Sequence, residues 1–120
     1  MLFRSKGSIV PYQNTAKQEL LGIPAATLEE HGPVSSTTAI AMAKQVKAKF
    51  QAAIGLASTG IAGPSGSSAT QPVGTVWIAL EDEQASYAEK LQLGSHRCHN
   101  IQLTALYLLN LLRESLIKAS

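Results

Sequence analysis

A chain of 120 residues has room for one core, and its 45% hydrophobic and 15% charged content excludes an intrinsically disordered protein. Ten Lys/Arg against eight Asp/Glu give a net charge of +2. Without a basic run or basic helix face, nucleic acid and anionic membrane are excluded as charge-driven partners.

In chain order, Gly7–Tyr12 reads as a short strand, confined to an edge or an end by Pro11. Thr15–Leu21 reads as a helix stopped by Gly22 and Pro24. Ala25–His31 is a further helical turn or two with Gly32 as its cap. Ser35 or Ser36 then caps the clearest helix. Its apolar face carries Ala39, Ile40, Met42, Ala43, Val46 and Phe50, and Lys44, Lys47 and Lys49 make a solvated side near its negative end. Ile54–Ser58 reads as a buried strand and Thr75–Leu80 as a second, rich in β-branched and aromatic residues. "EDEQ" turns the chain into a hairpin partner over Ser86–Leu93. Arg97–Lys118 is a long helix, with Ile101, Ala105, Leu108, Leu109, Leu112 and Leu116 as its expected buried stripe. Strands mixed with helices in so short a chain suggest a three-layer α/β domain.

No apolar run approaches the roughly 18 residues of a membrane span. The first residues lack the apolar centre of a signal peptide. The single cysteine, Cys98, forms no internal disulfide, so a cytoplasmic location is expected. Cys98 lies between His96 and His99, either as a nucleophile or as a small helix residue. The three histidines come with no carboxylate or thiol set that completes a metal site, so no metal or other cofactor is expected.

The stretch "ASTGIAGPSGSSATQPVGTVWIAL" joins the two buried strands through about sixteen residues, Thr59 to Gly74, where a few suffice. It is no P-loop, because no Gly-Lys-Ser/Thr follows, and no serine in it sits in a G-x-S-x-G elbow. "TGIAGP" places Thr59 and Gly60 at the C-terminal end of a strand, where open α/β sheets bind ligands. Gly60 and Gly63 permit backbone angles that other residues resist. A flexible Gly/Ser connector and a ligand loop both fit this composition.

The same stretch resembles the signature of the C-terminal domain of the competence/damage-inducible protein CinA. "VPYQNTAKQELLGIPAATLEEHGPVS" is similar to that family's Y-x-N-x-x-K segment, and "GSHRCHNIQLTALYLLNLLRESL" to its closing helix. The resemblance runs over about residues 7–117 in order. It implies a three-layer α/β/α fold with a mixed sheet, and hydrolysis of nicotinamide mononucleotide to nicotinic acid mononucleotide and ammonia by a serine nucleophile paired with a lysine. Carried over, it implies catalytic roles for Tyr12 and Lys17. It implies substrate contacts for Asn14, Thr59, Gly60, Ile61, Ala62 and Gly63, and a phosphate contact for Arg97.

One departure is large. Family members begin with a strand and a helix opened by a segment like "AESCTGG", whose serine is the nucleophile. The present sequence holds no such stretch, and Ser5 and Ser8 stand in a different context. An N-terminally truncated domain is the expectation, with open sheet edges that favour a homo-oligomer. The functional expectation therefore divides between a nicotinamide mononucleotide amidohydrolase and a non-catalytic nucleotide-binding or interaction module.

Overall fold

The computed structural model describes residues 5–11, 14–61 and 71–119. Among them the chain order is α1 (Asn14–Leu21), α2 (Ala25–His31), α3 (Ser36–Lys49), β1 (Gly55–Gly60), β2 (Thr75–Glu81), β3 (Ser86–Gln92) and α4 (Arg97–Ala119).

Local chemistry sets these boundaries. Gly22 and Gly32, at φ +66° and +79°, take the left-handed turns that end α1 and α2. Their amides close on the carbonyls of Gln18 and Leu28. Ser35 caps α3, its hydroxyl accepting from the Thr38 amide at 3.1 Å. In the β2–β3 turn the Asp82 carboxylate accepts from the amides of Ala85 and Gln84 at 2.7 and 2.8 Å. Those two bonds hold its pKa below the usual carboxylate value.

The sheet has the order β1-β2-β3. Gly55 pairs with Glu81 and Gly60 with Val76, and Thr75 pairs with Gln92 and Glu81 with Ser86. The α/β class and the layering agree with expectation. Alternation along β2 sends Ala79 and the half-buried Trp77 toward α1, α2 and α3, and sends Val76 and Ile78 toward Leu108 and Leu111 of α4. Helices therefore cover both faces. The mixed sheet implied by the family resemblance is, among the described strands, antiparallel throughout. Consecutive strands lie side by side, which returns the chain in the opposite direction at each step.

Small residues let α3 lie close on the sheet. Ala39, Ala43 and Ala79 of β2 are fully buried, and Ala57 of β1 is buried with them. A Cβ on Gly55 would stand 2.1 Å from the Ala43 carbonyl oxygen, so only glycine allows this approach. Around this seam Leu21, Ile23 and Leu28 complete the cluster. Each large side chain so buried contributes about 1.5–3 kcal/mol.

Two further expectations fail. The strand expected from Gly7 is absent over Gly7–Pro11, and Tyr12 lies outside the described residues. Pro11 has no N–H to give a ladder. The segment is tied down otherwise: Lys6 donates to the Gln51 carbonyl at 2.9 Å, Gly7 lies against the Phe50 ring, and Ile9 packs on the core. The stripe on α4 is also rotated. Leu112 is buried and Leu108 and Leu116 half-buried, but Ala105 is exposed and Ile101 and Leu109 are 50% and 57% exposed. The inward side runs instead through Asn100, Thr104, Leu108, Leu111, Leu112 and Ser115. This helix bears apolar residues on most of its circumference, so periodicity does not choose the side that meets the sheet.

Candidate functional site

Lys17 and Leu21 stand one helical turn apart and share a face of α1. Leu21 is drawn into the core, and Lys17 goes inward with it, leaving 7% of its surface exposed. Its Nζ donates to Thr59 Oγ1 at 3.1 Å and to the Pro33 carbonyl at 3.3 Å. Thr59, at the end of β1, donates its own hydroxyl proton to that same carbonyl at 2.6 Å. Among the described residues both partners of the amine are neutral oxygens, and no carboxylate pairs with it. Burial accordingly lowers the Lys17 pKa from its ordinary value, toward the neutral amine.

The partner that sequence reasoning missed is the segment between α2 and α3. Three successive carbonyls there accept side-chain donors. Thr38 Oγ1 donates to Gly32 at 2.6 Å, Lys17 and Thr59 to Pro33, and Gln71 Nε2 to Val34 at 2.7 Å. Gly32, at positive φ, ends α2 without continuing its ladder, and α3 starts only at Ser36. The intervening carbonyls are thus left for side chains. The readable signal was "HGPVSSTT": a glycine-proline break followed by hydroxyl residues. Gln71 ties the far end of the glycine-rich connection to the same segment.

The other expected residues lie in different parts of the fold. Gly60 and Ile61 follow Thr59 at the end of β1, where Ile61 exchanges backbone hydrogen bonds with Thr75 and Gly74. Arg97, exposed, opens α4. The exit of β3 is joined to the same end of the sheet, since the Leu93 amide donates to the Gly74 carbonyl and Asn100 Nδ2 to the Gly94 carbonyl. Asn14 is the first residue of α1. Tyr12, Ala62 and Gly63 lie outside the described residues.

Gly60 differs from expectation. Its φ is not positive, so it is not present for an unusual backbone angle. A Cβ there would come within 2.8 Å of the Thr75 carbonyl oxygen, so this glycine serves the close approach of β1 to β2. The His96/His99 spacing also has a local account: His96 Nδ1 accepts from the His99 amide at 3.3 Å, as a cap of α4. Cys98 beside them is free and exposed. Among the described residues no group of His, Cys, Asp and Glu is arranged to hold a metal, and no helix is long and apolar enough to cross a membrane. A depression between the β2–β3 turn and the end of α4, lined by Leu80, Tyr87, Leu111 and Lys118 among others, lies on the opposite face of the sheet and shares no residue with the lysine site.

Comparison with known proteins agrees with this architecture. The family model for the CinA C-terminal domain matches residues 4–116. A CinA-like protein of Amoebophilus asiaticus is 55% identical over 111 residues, covering 92% of this chain and 27% of the relative. A putative competence-damage inducible protein of Acetivibrio thermocellus is 42% identical over 110 residues, again 92% of this chain and 27% of the relative. The chain thus spans about a quarter of the length of these curated relatives. Among solved structures, the competence/damage inducible protein CihA from Agrobacterium tumefaciens superposes with a TM-score of 0.83 at 34% identity, covering 86% of this chain and 64% of that one. The competence damage-inducible protein A from Klebsiella pneumoniae gives 0.84 at 28% identity, with 89% and 66% covered. Sequence, topology and the extent of the match together place the chain in the CinA C-terminal domain family.

Proposed function

We propose that this chain is the nucleotide-binding, lysine-bearing part of an amidohydrolase acting on nicotinamide mononucleotide. The observation that carries the reading is the buried amine of Lys17, paired only with neutral oxygens among the described residues. A base must be neutral to accept a proton, and burial without a counter-charge favours that form. In the chemistry the family implies, a serine hydroxyl attacks the carboxamide carbon while the lysine takes its proton. The same proton then goes to the departing nitrogen, releasing ammonia and leaving an acyl ester that water hydrolyses. Arg97 suits the phosphate: a guanidinium offers a two-pronged donor, and the start of α4 adds the positive end of the helix dipole.

Calorimetry with nicotinamide mononucleotide tests the reading. The 120-residue chain is expected to bind it, and Arg97→Ala to weaken binding by about 1.5–3 kcal/mol, the range for a hydrogen bond to a charged group. Absence of binding by the unaltered chain overturns the reading. These 120 residues hold no "AESCTGG"-like stretch, so on their own they are expected to release no ammonia above background. Release that depends on Ser5, Ser8 or a serine between Thr59 and Gly74 would put the nucleophile within the chain and refute that expectation.

A second reading, a homo-oligomeric interaction module, is favoured by the exposed side of α4. Ile101, Leu106, Leu109 and Ile117 are 50–63% exposed. No described strand pairs with the outer edge of β1. Covering such a surface favours association. Analytical ultracentrifugation is expected to show a dimer or larger species, and a compact monomer at high micromolar concentration is the contrary result.

A further inference from the structure

The hydroxyl of Thr59 stands in an unusual relation to its neighbours. It is buried, 8% exposed, and its proton is committed to the Pro33 carbonyl at 2.6 Å. Its oxygen remains an acceptor, and it faces Lys17 Nζ. A residue whose donor is already used is poorly placed to give a hydrogen bond to substrate and well placed to hold an amine. The Pro33 carbonyl, with two lone pairs, accepts from both Thr59 and Lys17.

Consider the nitrogen itself. An amine nitrogen is tetrahedral: one position is Cε and three remain. Two N–H bonds run to Thr59 Oγ1 and to the Pro33 oxygen. In the neutral amine the last position is the lone pair; in the ammonium it is a third N–H.

We propose that Thr59 is the positioning residue of this site: with the Pro33 carbonyl it holds two N–H bonds of Lys17 and leaves the remaining position on the nitrogen for the proton in transit. The proposal rests on the amidohydrolase reading only in giving Lys17 the role of base; the geometry stands without it. It gives Thr59 a task other than the substrate contact implied by family resemblance.

Among the described residues the groups around Lys17 are neutral. The segment between α2 and α3 brings carbonyls and Ser35, α3 brings Thr38 to that segment, and β1 brings Thr59. The nearby α2 end carries His31, which lies 3.8 Å from Glu30 on the exposed side. Among the described residues no acid or second cation is paired with Lys17.

The test is an NMR titration of Lys17 Nζ and Cε in the 120-residue chain, with exposed Lys44 as internal reference. Thr59→Val keeps the shape and removes the acceptor. An acceptor stabilises the ammonium more than the amine, so this change is expected to move the Lys17 midpoint to lower pH. Thr59→Ser restores the oxygen and is expected to return the midpoint to the unaltered value. A midpoint unmoved by Thr59→Val, or not restored by Thr59→Ser, overturns the proposal. In the unaltered chain the Nζ hydrogens of Lys17 are expected to exchange with solvent more slowly than those of Lys44. Equal exchange overturns the proposal even if Thr59→Val does not fold. Since no ligand enters these measurements, failure to bind nicotinamide mononucleotide would sink the functional reading and leave this one standing.

Discussion

Gly74→Ala is expected to destabilise the fold by about 2–4 kcal/mol, combining about 1 kcal/mol for a left-handed backbone with about 1–3 kcal/mol for overpacking. Gly74 sits at φ +92°, where a side chain is strained whatever the space. The space is also absent: a Cβ would lie 2.4 Å from the Leu93 carbonyl oxygen and 2.5 Å from that of Gly94. The same residue donates to the Ile61 carbonyl at 2.7 Å and accepts from the Leu93 amide at 2.8 Å. It therefore joins the end of β1, the start of β2 and the exit of β3. Both obstructing atoms are backbone, so relief requires moving the end of the sheet. Gly94→Ala is the internal control, since a Cβ at Gly94 meets nothing within 4 Å and its φ is not positive; about 0.5 kcal/mol or less is expected there. Urea unfolding with an unchanged slope measures both. Equal midpoints for the two variants would refute the account of Gly74.

Lys17→Met is expected to stabilise the protein while removing its only buried amine among the described residues. Replacing a buried ion pair by apolar side chains of similar volume commonly contributes about 1–4 kcal/mol, and a buried amine without a counter-charge has less to offset its desolvation, so a gain of that order is expected. The substitution leaves little unsatisfied, because Thr59 still donates to the Pro33 carbonyl. The pH dependence follows from the lowered pKa. In the pH range between the folded and unfolded values, the unfolded chain binds the additional proton, so the unaltered protein gains stability as pH rises through that range. The cost of burying Lys17 is thus full below the folded-state pKa and disappears above the unfolded value of about 10.4. The advantage of Lys17→Met should therefore be greater at about pH 6 than at about pH 10, compared by urea midpoints at each. A variant less stable than the unaltered chain at low pH, or an advantage that grows with pH, contradicts the burial argument. A lysine kept where methionine is more stable fits the trade between stability and activity found at functional sites.

Local chemistry made much of this fold legible in the sequence. The stops at Gly22 and Gly32, the cap at Ser35, the runs of Thr75–Leu80 and Ser86–Leu93 and the length of the last helix depend on neighbours within a few residues, and all are readable from spacing and residue type. The quoted family segments carried the placement of the chain and drew attention to Lys17 and Thr59. What spacing could not supply was any relation between distant segments. The strand expected at Gly7 depends on whether another strand accepts it, and that segment is held by Phe50 and Gln51 instead. The inward side of α4 depends on the sheet beneath it, because Ile101 and Leu109 are as apolar as Leu108 and Leu112. Gly60 read as a residue that permits backbone angles other residues resist, yet β2 decides its role by leaving no room for a Cβ. The lysine site shows the division most fully. Sequence determined that a lysine lay one turn before a core leucine. Only tertiary structure set its amine against Thr59, 42 positions away, and the Pro33 carbonyl, 16 away. A buried amine takes whatever acceptors the packed chain brings within reach, and no local pattern records which those are.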